Sequence, residues 1–157
     1  MRLIKIKAGA IKLLALVVFS TVFSSFTVNP GGDSFEIFIN KKLVVQQFVS
    51  QSSAVKSFQL DAGNSNGEVD IYYKHCGATG KSRNITVKDG ENHLLKEWHF
   101  ADATDANTSM SCKVKDLLSL GKTNGVSKLN LYYSSRKMPK ERLLAAVLLN
   151  TGNKTTP

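Results

Sequence analysis

The sequence predicts an all-β protein: a single antiparallel β-sandwich of eight or nine strands with at most one short helix, preceded by a secretory signal peptide. Three observations carry this. Apolar residues from Ser34 onward alternate with polar ones, turn-forming dipeptides fall between the alternating runs, and only one stretch has clear helical spacing. A period of two marks strands with one buried and one wet face.

The chain opens with Arg2, Lys5, Lys7 and Lys12 and no acidic residue, then runs apolar from Leu13 to Val28, interrupted by Ser20, Thr21, Ser24, Ser25 and Thr27. A basic start followed by a short apolar run reads as a signal peptide over 1–28, with cleavage near 24–28. The run is shorter than the roughly 20 apolar residues a spanning helix needs. No stable membrane span is therefore expected once the leader is removed, an uncleaved anchor being the alternative. The remainder is expected to be secreted or periplasmic, in a compartment where thiols oxidise. Residues 29–33, Asn-Pro-Gly-Gly-Asp, read as a flexible joint, 34–150 as the β-sandwich domain and 151–157 as a polar tail.

Within the domain, Phe35, Ile37 and Ile39 share a face, and Leu43, Val45 and Val49 follow the same rule. Val69, Ile71 and Tyr73 alternate with Asp70, Tyr72 and Lys74; Ile85 and Val87 alternate with Asn84, Thr86 and Lys88. Trp98 and Phe100 flank His99, and Leu129, Leu131 and Tyr133 alternate with Asn130, Tyr132 and Ser134. The β-branched and aromatic content of these runs suits strands. Asn66-Gly67, Asp89-Gly90 and Asn124-Gly125 supply residues that accept positive φ, with Asp89-Gly90 the firmest hairpin and Asn40-Lys41-Lys42 a weaker one. A short helix is expected at Lys113–Leu120, ended by Gly121. The continuously apolar Leu143–Leu149 fits a strand buried on both faces or a short helix, and its brevity favours the strand. Ile71-Tyr72-Tyr73 is echoed by Leu131-Tyr132-Tyr133, a likeness that sheets produce without duplication.

Cys76 and Cys112 are the only cysteines. In an oxidising compartment the simplest expectation is one disulfide between them, closing a loop of about 35 residues and stabilising by about 3–4 kcal/mol. The alternative is a metal or redox site of His75, Cys76 and Cys112; its spacing is poor, because no Cys-x-x-Cys or His-x-x-x-His occurs. No cofactor is expected. Gly77-Ala78-Thr79-Gly80-Lys81-Ser82 lacks the early glycine of a phosphate-binding loop and is followed by a strand rather than a helix, so no nucleotide is expected.

Four of the 21 basic residues precede residue 25 and none of the 12 acidic ones do, so the rest of the chain carries +5. No Arg-rich helix or stacked-aromatic RNA motif is present, and no nucleic-acid partner is expected. Two features suggest a contact surface instead. One is the basic cluster Arg136, Lys137, Lys140 and Arg142 around Pro139; the other is the pair Tyr72 and Tyr132, which alternation turns outward.

The stretch Tyr72-Tyr73-Lys74-His75-Cys76-Gly77, with Lys81 to Asp89, Leu95-Lys96-Glu97-Trp98 and Leu131 to Ser135, resembles small exported proteins of Bacteroidota-type bacteria. That resemblance implies a bacterial envelope protein and carries no activity, fold or ligand with it.

No spacing gathers titratable groups into a catalytic cluster. The expectation is a non-enzymatic exported binding or accessory module, with an envelope protein or anionic glycan as partner. The alternatives are the metal or redox protein and an envelope glycan hydrolase using Glu68 or Asp70 with Asp102.

Overall fold

The structure is a computed structural model that describes residues 32–49 and 54–150. The expected signal peptide, most of the joint and the polar tail lie outside the described residues.

The described chain is mostly β. In order it forms β1 (Ser34–Ile39), β2 (Lys42–Phe48), β3 (Lys56–Asp61), β4 (Glu68–Lys74), β5 (Arg83–Lys88), β6 (Leu94–Phe100), β7 (Met110–Lys113), α1 (Val114–Asn124), β8 (Lys128–Ser134) and β9 (Arg142–Asn150). Two sheets result, ordered β2-β1-β4-β7 and β3-β9-β8-β5-β6. One core takes side chains from both: Phe35, Ile37, Val69, Ile71 and Met110 from the first, Leu60, Ile85, Val87, Leu129, Leu131 and Val147 from the second. At roughly 25 cal/mol per Å² of apolar surface removed from water, this shared burial is what holds the sheets together.

Alternation read correctly in β4, β5 and β8, whose odd-numbered residues point inward. It failed in β2. The register slips between Ile37 and Phe38, so Val45 pairs with Ile37 but Leu43 pairs with Phe38. The extra residue turns Leu43 out of the core, and it is exposed. The turn preceding β2 is the expected hairpin, with Asn40 at φ 50° and Lys41 at φ 67°, the two positive angles of a type I′ turn.

The apolar segment Leu143–Leu149 is strand, as favoured, and lies inside the second sheet between β3 and β8. The purely antiparallel expectation is corrected there: β3 pairs with β9 in parallel. Phe58 and Leu60 turn inward whichever way β3 runs, so the side-chain pattern carries no information about its direction. The helix is also longer than expected. Gly121 does not end it; Gly125, left-handed at φ 65°, does, and its N–H bonds the carbonyls of Gly121 and Lys122. Gly121 instead sits buried inside the helix, where β9 comes too close for a side chain: an added Cβ would lie 2.0 Å from Leu149 Cδ1. Asn124-Gly125 is thus a helix cap rather than a hairpin. Asn66-Gly67 likewise serves close approach, since Asn40 Oδ1 accepts the Glu68 N–H at 3.1 Å across the space a Gly67 Cβ would fill.

Candidate functional site

A buried polar cluster lies where β4 and β8 end. The two tyrosines of the sequence echo, Tyr73 and Tyr133, meet there across the sheets, stacked at 4.2 Å between ring centres. Their partners Tyr72 and Tyr132 consequently face away on different sheets. Tyr72 packs edge-on against Phe38, while Tyr132 lies under Lys88 Nζ. The expected contact pair is therefore not one surface.

His75 follows β4 directly, and its side chain is fully buried. Its Nδ1 lies 3.0 Å from Asp33 Oδ2, and its Nε2 lies 3.0 Å from the Tyr133 hydroxyl and 3.2 Å from Ser135 Oγ. The carboxylate fixes the proton on Nδ1, leaving Nε2 to accept from one hydroxyl at a time. Asp33 collects more: Tyr73 donates its hydroxyl to Oδ2 at 3.2 Å and the Cys76 N–H reaches Oδ1 at 2.9 Å. Asp33, expected to end a flexible joint, is a structural residue, and its carbonyl also accepts the Val49 N–H at 2.8 Å.

Electrostatics follow the contacts. Partial burial pushes the Asp33 carboxyl up, but the Cys76 N–H, His75 and the Tyr73 hydroxyl together outweigh it and hold the pKa below the ordinary value. Burial raises the Tyr73 and Tyr133 phenols, the first further because Asp33 faces it. Burial lowers the Arg83 guanidinium, with Tyr133 and Asp102 opposing. Arg83 is held by carbonyls, donating from Nε to Ala101 at 2.8 Å and from Nη1 to Thr108 at 2.7 Å. Gly80 admits Arg83 and Tyr133 together, because a Cβ there would stand 2.8 Å from Arg83 Cδ and 3.0 Å from the Tyr133 hydroxyl.

Asp33, His75 and Ser135 have the connectivity of an orienter, base and nucleophile. The chemistry is closed off, however. Ser135 is 4 % exposed, its Oγ accepts the Met138 N–H at 3.3 Å, and Tyr133 shares the histidine nitrogen. Ser135 Oγ is thus engaged inside the fold, and the three side chains form a lock joining β4, β8 and the segment before β1.

Above the lock lie the exposed Cys76–Thr79 loop and the basic residues. The Arg136 N–H bonds the Lys81 carbonyl at 2.8 Å, and Lys137 Nζ bonds the Cys76 carbonyl at 2.8 Å. Arg136, Lys137 and Lys140 are exposed as expected, whereas Arg142 is half-buried with Nε 3.4 Å from Met138 Sδ. The sequence pattern missed Asp33, Lys81, Tyr133 and Ser135; the echo around Tyr73 and Tyr133 was its one pointer to them.

The expected disulfide is not formed. Both cysteines are free, Cys76 exposed and Cys112 buried. Cys112 pairs with Val69 at the start of β4, and Cys76 lies beyond that strand's other end. At about 3.3 Å per residue this places them roughly 20 Å apart, and bridged Cα atoms lie within about 7 Å. The same separation splits the His75, Cys76 and Cys112 metal site, and no group of three or more ligating side chains occurs among the described residues. The proposed carboxylate pair is divided too. Asp70, in the first sheet, accepts from Ser111 Oγ, while Asp102, after the second sheet's β6, accepts the Ser82 N–H at 2.8 Å. Burial, with Asp116 and Asp70 nearby, pushes the Cys112 thiol up to about 12. A thiol-specific aromatic disulfide at neutral pH should therefore titrate one group in the folded protein, Cys76, and two in denaturant. Finding none in the folded protein would contradict this arrangement.

Compared with known proteins, the chain matches no family model and no curated sequence. Among the described residues no helix is long and apolar enough to cross a membrane.

Proposed function

We propose that this is an exported, non-enzymatic β-sandwich module of the bacterial envelope that binds an anionic partner, such as an acidic glycan, through its basic end. The basic, then apolar start of the chain and the resemblance to exported proteins of Bacteroidota-type bacteria support the location. The closure of Ser135 supports a binding rather than a catalytic role.

One observation carries the reading: the main-chain bond between Arg136 and Lys81 brings two basic runs, distant in sequence, side by side. Lys81, Arg136, Lys137 and Lys140 are all exposed around the Cys76–Thr79 loop. The acids near them are engaged elsewhere, Asp33 inward to His75 and Asp102 to the Ser82 N–H. A single-sign patch of this kind attracts polyanions and is screened beyond about 10 Å at 0.1 M salt. The double variant Lys81→Glu with Arg136→Glu should elute from a dextran-sulfate column at distinctly lower salt than the unaltered protein, with an unchanged melting temperature. Identical elution of the two would refute the basic end as the binding surface.

A further inference from the structure

A second feature shares no residue with the basic end. The inward positions of β6 and one stripe of α1 line a groove of about 350 Å³ formed by Lys96, Trp98, Asp116, Ser119, Leu120 and Thr123. We infer that this groove binds a single ring of a neutral sugar.

The helix explains how the groove arises. Val114, Leu117 and Gly121 face the core. Asp116, Ser119, Leu120 and Thr123 recur at i, i+3, i+4 and i+7, so they form a second stripe on one side of α1. β6 supplies the opposite wall. Lys96 and Trp98 pair with the buried Val87 and Ile85, so they point to the inner side of an edge strand. Trp98 is only half-buried, although it occupies a core register.

The chemistry of the walls selects the ligand. Trp98 packs in part against the core, and the part of its indole that lines the groove is apolar surface of the kind that covers the C–H side of a sugar ring, with an N–H at the ring's edge. Around it stand a carboxylate to accept from hydroxyls, an ammonium to donate, and the Ser119 and Thr123 hydroxyls to do either. No hydrogen bond or ion pair with another described residue occupies these four side chains; Lys96 Nζ stands over the Trp98 ring at 5.9 Å, on a flexible stem that a stacking sugar displaces. Lys96 and Asp116 cancel in charge, which favours a neutral ring over the polyanion assigned to the basic end. The volume falls at the small end of the range for small-molecule sites, roughly 300–1,000 Å³. An apolar ligand would leave the polar wall stripped of water and unpaired.

Trp98 is the only tryptophan in the chain, so its emission reports on the groove alone. The full protein is titrated with β-linked tetrasaccharides of glucose, galactose, mannose and N-acetylglucosamine, followed by Trp98 fluorescence and by calorimetry. At least one should give a saturable change in emission with matching heat. Ser119→Arg, which fills the groove from an exposed position on α1, should weaken that binding about tenfold or more while leaving the melting temperature in place. Trp98→Phe should retain part of the affinity and Trp98→Ala should lose it. The inference is overturned if no tetrasaccharide gives saturable heat up to its solubility limit, or if binding is undiminished in Ser119→Arg. Because Lys81 and Arg136 are untouched, dextran-sulfate retention remains a separate result.

Discussion

His75→Ala should destabilise the protein by about 3–4 kcal/mol, among the largest single-residue losses available outside the apolar core. The imidazole is fully buried and touches both sheets: Asp33 on one nitrogen, Tyr133 and Ser135 on the other, and the Tyr73 ring 4.8 Å away. Removing it leaves a cavity, which for large-to-small core changes costs about 2–5 kcal/mol. It also deprives the Tyr133 hydroxyl of an acceptor and Asp33 of one of its partners, and each unsatisfied buried group costs about 1–3 kcal/mol. Local collapse and water entry at the partly exposed Asp33 offset some of this. Urea unfolding measures the difference, and a loss under about 1 kcal/mol would sink the description of the cluster as a lock.

The same lock has a pH signature. The folded-state pKa of Asp33 lies below its ordinary value of 3.8, so the folded protein holds this proton more weakly than the unfolded chain. The stabilisation is therefore fully present above the unfolded value and is lost as pH falls through the folded one. The stability gap between the unaltered protein and Asp33→Asn should be constant near neutrality and close at acid pH, below about 4. A gap that widens on acidification would assign the wrong sign to the carboxylate.

How much of this was legible in the sequence follows from the range of each interaction. Strand faces are local, so the alternation around Ile71, Ile85 and Leu131 read correctly; of the helical face Val114, Leu117 and Leu118 that the spacing suggests, the first two are buried and Leu118 only half-buried. A bulge is a single extra residue in a pairing, which is why Leu43 was misplaced. The direction of β3 depends on which edge of β9 is free, and nothing within Lys56–Asp61 records that. The disulfide failed for a related reason. Two cysteines in a chain whose start reads as a leader invite pairing, but β4 separates their positions by most of its length. The His75 cluster was hidden because its partners lie 42, 58 and 60 residues away. Before folding, His75 reads as one more polar residue at a strand end, and Ser135 as loop. The basic end was half legible: Arg136 and Lys137 stood out as a cluster, whereas Lys81 joined them only through a main-chain bond across the fold.

Gly121 gives the sharpest contrast between a local rule and the fold. In an exposed helix interior, glycine to alanine stabilises by about 1 kcal/mol. Here Gly121→Ala should instead destabilise by about 1–2 kcal/mol. The new methyl group would lie 2.0 Å from Leu149 Cδ1 and 2.9 Å from the Val126 carbonyl oxygen. Leu149 is itself packed in the core and can yield only by leaving its rotamer. The Val126 backbone is less free still, because its N–H bonds the Gly121 carbonyl at 2.9 Å, and Leu149 N–H bonds the neighbouring Ser127 carbonyl at 2.8 Å. Overpacking of this kind costs about 1–3 kcal/mol, enough to outweigh the helix propensity gained. Gly90→Ala is the control, since nothing lies within 4 Å of a Cβ there, and it should change stability by less than about 0.5 kcal/mol. Trimming the obstruction with Leu149→Ala should recover part of the Gly121→Ala loss, so the double variant should fall short of the sum of the two single ones. If Gly121→Ala raised the unfolding midpoint, α1 would not be seated on β9 as described.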